Sequence, residues 1–337
     1  MRQTLLAAWQ GDRSRRWLVR LLWPLSLLYG AAFVLRRALY RAGVLPSQRL
    51  PVPVIVVGNV VAGGAGKTPV VLAVAQHLRQ RGYRPGIISR GYGRRSHGVL
   101  HVGPDTAPQD CGDEPALLFR RTGLPVVVAN QRLDAARALL AAHPATDILV
   151  SDDGLQHLAL QRDVEICVFD AGGVGNGHLL PAGPLREPWP RAVDLIVRPP
   201  QCAVQQGYPM QRQLADWGHD ANGQRTALAQ LRGQALHALA GIAHPEDFFH
   251  ALQAQGLTLA HTSALADHHD FVRQPIAQAP GTTTLLCTEK DAVKLWATHP
   301  QAIAVPLLVE LSATFWQALD RAVGQSTASD PHQRPSS

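Results

Sequence analysis

Residues 52–68 read V-P-V-I-V-V-G-N-V-V-A-G-G-A-G-K-T. The β-branched run Val52–Val57, closed by Gly58, has the composition of a fully buried strand. The segment from Pro69 to Gln80, stopped at Gly82, has the spacing of a helix. A glycine-rich turn between a strand and a helix lets backbone N–H groups converge on phosphate oxygens, and the helix N-terminus adds partial positive charge. The cradle runs through Val61, Ala62, Gly63, Gly64, Ala65, Gly66, Lys67 and Thr68, with Val61 standing where the full G-x-x-x-x-G-K-[ST] pattern has its first glycine. Lys67 is expected to reach the β- and γ-phosphates of a bound nucleotide, and Thr68 to hold Mg²⁺ through its hydroxyl. The chain has only three lysines against 29 arginines, so a lysine here is not a product of composition.

Outward from this loop, short apolar runs recur at Pro85–Ser89, Pro125–Ala129, Asp147–Ser151, Glu165–Asp170 and Asp194–Val197, with helical stretches such as Glu114–Arg121 and Arg132–His143 between some of them. The alternation predicts an α/β fold of the P-loop NTPase type, a mostly parallel sheet flanked by helices. The run 147–151 ends in Asp152-Asp153-Gly154, which supplies the acid that a metal-bound triphosphate needs at a neighbouring strand end. From about Gln201 to Gln224 the pattern weakens and reads as a connection. It resumes as a smaller α/β unit with strands at Leu236–Ala240, Leu257–Thr262, Thr283–Cys287 and Ile303–Leu308 and a helix near Glu246–Gln255. The expected organisation is a basic, apolar helical segment over 1–50, a P-loop nucleotide-binding domain over 51–215, a smaller α/β domain over 216–323 with a cleft between the two, and a disordered tail over 324–337.

At 337 residues the chain is long enough for two cores, and 46% apolar against 17% charged residues excludes global disorder. Four separated cysteines without a C-x-x-C pair argue against a disulfide framework or a zinc ribbon. The net charge of +7 is concentrated: residues 1–50 hold nine arginines and one acid, Asp12, so the rest of the chain is close to neutral. That removes the case for nucleic-acid binding by the body of the protein. Within the basic segment, residues 21–35 carry no charge, a run of ~22 Å as a helix. Arginines bracket it, and Trp17, Trp23, Tyr29 and Tyr40 suit a headgroup layer. The expectation is a helix lying in a membrane interface and held by anionic lipid, peripheral or monotopic on the cytoplasmic face. A short spanning helix and a helix docked on the protein's own core are the other two readings.

Further segments fall in one order along the chain. They are Ser89-Arg90-Gly91-Tyr92-Gly93-Arg94, Gly112-Asp113-Glu114-Pro115, Asp152-Asp153-Gly154-Leu155-Gln156-His157, the run L-P-A-G-P-L-R-E-P over 180–188, Asp267-His268-His269, and T-E-K-D-A-V-K over 288–294. With the phosphate loop they resemble the tetraacyldisaccharide 4′-kinase (lipid A 4′-kinase) family over nearly the whole chain. The resemblance implies ATP- and Mg²⁺-dependent phosphorylation of the 4′-hydroxyl of a tetraacylated glucosamine disaccharide 1-phosphate, at the cytoplasmic face of the inner membrane, with no protein partner evident. It implies Asp113 as base toward the sugar hydroxyl, His268 as its partner, Asp153 and Glu187 as metal-placing acids, and Arg186 as a contact for phosphate charge.

The chemistry agrees. Phosphoryl transfer needs in-line positioning and neutralisation of the equatorial oxygens, tasks for Lys67, Arg186 and Mg²⁺. A sugar hydroxyl is a weak nucleophile, so a carboxylate that takes its proton is useful. Residue chemistry alone leaves Asp110, Asp113 and Glu114 open for that role; the motif selects Asp113. Asp113 also stands where it would cap a helix beginning at Glu114. Tyr92 reads as either a packed turn residue or a substrate contact, and Lys290 and Asp291 as ties within a turn. The alternative reading is a membrane-associated regulatory P-loop GTPase or ATPase. It would need an [NT]-K-x-D guanine-reading motif, and Thr288-Glu289-Lys290-Asp291 has its lysine one place late.

Overall fold

The computed structural model describes residues 2–64, 66–267, 269, 271, 273–276 and 284–328. The chain forms two compact units, each assembled from separated stretches. One contains residues up to 90, 124–211 and those from 310 onward; the other contains 91–123 and 212–309. The sequence reading drew contiguous blocks. The stretch Gly91–Gly123 instead belongs with the later residues, and the C-terminal helix Ala313–Ala328 belongs with the first unit. That helix runs through the first five positions of the expected tail, and 329–337 lie outside the described residues.

The first unit carries a sheet whose neighbouring strands are Tyr208–Leu214, Leu195–Arg198, Val164–Val168, Val54–Gly58, Ile148–Asp152, Pro85–Ser89 and Val126–Val128, all paired in parallel. Every residue of Val54–Gly58 is buried, as its unbroken β-branched run requires of a strand covered on both faces. The helix Lys67–Gln80 buries Val70, Val71, Val74, Ala75 and Leu78. The helix Arg132–Ala142 comes close enough that a methyl group on Gly86 would meet Leu139 at 2.6 Å, so this strand position must lack a side chain. The register Val57↔Asp152 sets the C-terminal ends of two parallel strands side by side. This is where an open α/β sheet presents its loops to ligands.

The stretch read as a connection contains the strands Tyr208–Leu214 and Trp217–His219. The first lies at the outer side of Leu195–Arg198 and buries only Met210 fully, so its polar sequence hid it. In the second unit the strand order is Arg225–Ala227, Trp217–His219, Ile303–Val305, Thr284–Thr288, Leu236–Ala240 and Leu259–Ala264. The last four pair in parallel, and Trp217–His219 runs antiparallel to both its neighbours. Helices Asp113–Thr122, Pro245–Ala254 and Glu289–Leu295 belong to this unit.

The N-terminal segment is helical over Arg2–Trp9 and Arg16–Arg41. The second helix has 26 residues, ~39 Å, because the bracketing arginines continue the helix rather than ending it. It is long and apolar enough to cross a membrane by length and composition, with 11% of its most apolar window buried. Trp17, Leu21, Leu25, Leu28 and Leu35 are exposed, which leaves little of the helix docked on the protein's own core. One face is nevertheless fastened. Ser26 Oγ donates to the Leu179 carbonyl at 2.8 Å and accepts from the Ala182 amide at 2.9 Å, and Tyr29 Oη donates to the Arg186 carbonyl at 2.6 Å.

Candidate active site

The phosphate loop leaves the strand at Gly58 and enters its helix at Lys67 through Gly66, whose φ of 68° is left-handed and suits glycine. The loop is braced by the 180–188 segment. The Ala62 amide donates to the Pro184 carbonyl at 2.7 Å, and the Arg186 amide donates to the Val60 carbonyl at 2.7 Å. Val61 bridges Leu185 and is buried. Val61 and Ala62, expected to line the cradle, are therefore engaged by this brace, and the turn of the cradle opens at Gly63. Ala65 lies outside the described residues.

Lys67 Nζ stands 3.6 Å from Asp153 Oδ1 and 3.5 Å from Asn59 Oδ1. Arg186 Nη1 lies 3.0 Å from both oxygens of the same Asp153 carboxylate. Burial works to raise the Asp153 pKa, but Lys67, Arg186 and Arg132 outweigh it and hold the group below the ordinary aspartate range. Asp153 is the one described non-glycine residue with positive φ, 50°, a conformation aspartate tolerates and one that recurs where function fixes the backbone. Its amide donates to the Val57 carbonyl at 2.8 Å. Arg132, itself buried, donates to the backbone carbonyls of Asp152 and Asp153.

Asp152 is 1% exposed, and its Oδ2 accepts from Ser89 Oγ at 3.2 Å. Glu187 is also buried. It accepts from Gln156 Nε2 at 2.7 Å and pairs with Arg191 Nε at 3.0 Å, while the same Gln156 nitrogen donates to the Asn59 carbonyl at 3.0 Å. Sequence reasoning gathered Lys67, Asp153 and Arg186 into one site, and the structure brings them together. It turns Glu187 toward Gln156 and Arg191. Arg132 and Asn59 were missed as site residues. Arg132 acts on main-chain carbonyls through a tertiary contact that no motif encodes, while Asn59 stood in the quoted stretch 52–68 without a role.

In the second unit Asp113 begins its helix, with Gly112 at the cap position. Gly112 has φ 99° and ψ 152°, a region open essentially to glycine alone, and a methyl group there would press on the Tyr92 carbonyl at 3.2 Å. Gly112→Ala is expected to cost about 1–3 kcal/mol from the backbone alone. The check is a melting curve read beside kcat, and an unchanged melting temperature would contradict the strain. Tyr92 is 75% exposed, which rejects the packed-turn reading of this residue. The Asp113 carboxylate is buried and paired with Lys294 Nζ at 2.9 Å. Lys290 Nζ pairs with Asp267 at 2.9 Å. Asp291 accepts from the Gly241 amide at 2.9 Å and Thr288 Oγ1 at 2.6 Å. His268, expected beside Asp113, lies outside the described residues.

The sequence profile of the family described as Tetraacyldisaccharide-1-P 4′-kinase, LpxK, matches residues 18–324. The chain belongs to this family. It is similar to the tetraacyldisaccharide 4′-kinase of Acidovorax sp. (strain JS42), 56% identical over 97% of this chain and 96% of that one. The tetraacyldisaccharide 4′-kinase of Leptothrix cholodnii is 45% identical over 97% and 96%. Among solved structures, LpxK from Aquifex aeolicus in complex with ATP superposes with a TM-score of 0.78 at 29% identity, covering 91% of this chain and 99% of that one. As a tetraacyldisaccharide 4′-kinase family member the chain is an ATP-dependent phosphotransferase with an alcohol acceptor. Its fold is the P-loop, mostly parallel α/β fold expected from residues 52–68.

Proposed function

We propose that this chain transfers the γ-phosphoryl group of ATP to the 4′-hydroxyl of a tetraacylated glucosamine disaccharide 1-phosphate, at a membrane surface. The observation that carries the reading is the Lys67–Asp153–Arg186 cluster, two cations on one acid at the mouth of a strand–glycine-loop–helix. Lys67 and the amides from Gly63 onward bind the triphosphate, and Arg186 counters charge developing on the transferred group. Asp113 takes the proton of the acceptor hydroxyl. His268 is carried as its partner on the motif alone.

Mg²⁺ fits the donors present. Among the described residues no three His, Cys, Asp or Glu side chains gather into a metal cage. An ion that keeps its waters and is bound largely through substrate phosphates needs only one or two protein oxygens. Thr68 and Asp153 would supply them, with Glu187, next in the chain to Arg186, as the further acid. The ion's contribution would be neutralisation of phosphate charge. The test is transfer of labelled γ-phosphate to the defined lipid in detergent micelles. Nucleotide consumption with no labelled lipid, or GTP preferred over ATP, would favour the regulatory reading. Against that reading, Asp291 is 1% exposed and taken by Gly241 and Thr288, which leaves it poorly placed to read a guanine.

The acceptor's acyl chains make a membrane-bound enzyme useful, and Arg16–Arg41 supports membrane attachment at the cytoplasmic face of the inner membrane. Exposed apolar side chains and flanking arginines are the two features of interfacial binding to anionic lipid. Leu21 and Leu28 are 67% and 68% exposed, so replacing both with glutamate disturbs little internal packing. Loss of their apolar burial in lipid is expected to weaken co-sedimentation with anionic vesicles by at least ~10-fold. Unchanged sedimentation would reject the anchor.

A further inference from the structure

All three lysines of the chain face aspartates: Lys67 with Asp153, Lys290 with Asp267 and Lys294 with Asp113. The last pair is the most enclosed, with side-chain exposures of 8% for Lys294 and 9% for Asp113 at a separation of 2.9 Å. Burying two charges is expensive, and for stability alone an apolar pair often serves as well or better. The two helices that carry the pair are held by further contacts. Helices Asp113–Thr122 and Glu289–Leu295 are tied a second time, by Arg121 Nη1 at 2.6 Å from Glu289. The second helix is fixed at its start by Asp291 on Gly241 and Thr288, and just beyond its end by Trp296 Nε1 donating to the Ala302 carbonyl at 2.8 Å. Lys294 therefore reaches Asp113 from a fixed base. Its Nζ lies 2.9 Å from Asp113 Oδ2.

We propose that Lys294 is a positioning residue for the kinase reaction, holding the Asp113 carboxylate ionised and aimed so that it can take the proton of the acceptor hydroxyl. The proposal rests on Asp113 being the base. Charged and titratable groups in this neighbourhood include Asp110, Cys111, Glu114 and Arg120 on the segment of Asp113, and Lys290, Asp267 and Asp291 about Lys294. The Cys111 thiol is pushed up to about 11 by burial and is neutral at working pH. Asp110 and Glu114 add negative charge that favours a protonated Asp113. Lys294 is a cation in direct contact that opposes them. Without it, a carboxylate nine-tenths enclosed beside two acids takes up a proton more readily, which would disable it as a base near neutrality.

The test measures kcat/KM for lipid phosphorylation across pH 5.5–9 with the full-length enzyme in micelles. Lys294→Met is expected to move the acid limb of the profile up by about 1–2 pH units, with a ~10–100-fold loss near pH 7 that recovers as pH rises. KM for ATP should not change, and Lys294→Arg should restore the limb. Should Lys294→Met not fold, Lys294→Gln gives the same reading with a polar side chain of similar reach. A loss equal at every pH, with the limb in place, would assign Lys294 a structural role and overturn the proposal. So would a Lys294→Arg profile displaced as far as that of Lys294→Met. Asp113→Asn separates the two ideas: near-normal turnover there removes the base itself, whereas a dead Asp113→Asn with an unmoved Lys294→Met limb removes only the positioning role.

Discussion

Lys67→Ala is expected to lower kcat/KM for lipid phosphorylation by at least ~10²-fold. The ammonium is the one lysine charge in the phosphate loop, and it sits on the first residue of the helix whose N-terminus faces the loop. Removing it does two things. On the proposed role of Lys67, the triphosphate would lose a point charge that follows the γ-phosphate into the transition state. Asp153 loses one of its two cations, and Arg186 is then drawn more fully onto that carboxylate and away from phosphate. The second effect predicts that Lys67→Arg will not rescue well, because a planar fork cannot take the place of a compact ammonium among Asn59 and Asp153. Rates within ~10-fold of wild type for Lys67→Ala would mean that the loop does not hold the reacting phosphate.

Asp113→Asn is expected to lower kcat by at least ~10²-fold while leaving KM for ATP close to its original value. Asparagine keeps the shape of the side chain, so the loss reports the missing base. The substitution also strips Lys294 of its counter-charge in an enclosed site, and breaking such a pair costs on the order of 3–5 kcal/mol. A lowered melting temperature is therefore part of the expected result, and kcat must be read well below it. Turnover near wild type in folded protein would remove Asp113 from the chemistry and leave the phosphate loop standing.

How much of this was open to sequence reading varies with the range of the forces involved. The loop over residues 52–68 was legible because strand, glycines and lysine are contiguous and each follows from local backbone rules. Pro85–Ser89 and Leu236–Ala240 were legible as whole strands because every residue in them is buried, so composition alone marks them. Tyr208–Leu214 was not, because a strand with one fully buried side chain carries almost no apolar signal. Residues 91–123 were assigned to the wrong neighbours for a related reason: nothing local says that a helix beginning at Asp113 will pack on Glu289–Leu295. Within the site, Asp153 and Arg186 came from motif order, and their mutual contact was visible only in space. Arg132 acts on main-chain carbonyls of another element, and that kind of partner leaves no trace in side-chain spacing.

Ser26 and Tyr29 bond to residues 179–186, and residues 184–186 bond in turn to Val60 and Ala62. Each link in that path is a hydrogen bond of 2.6–2.9 Å. If Arg16–Arg41 is seated in lipid as proposed, the triphosphate grip would stand at one set height over the acyl layer, like a tool on a mount. A headgroup would be chosen partly by stature: a sugar alcohol lying much nearer to or farther from the fatty chains than the mount allows would go unmodified, whatever its chemistry.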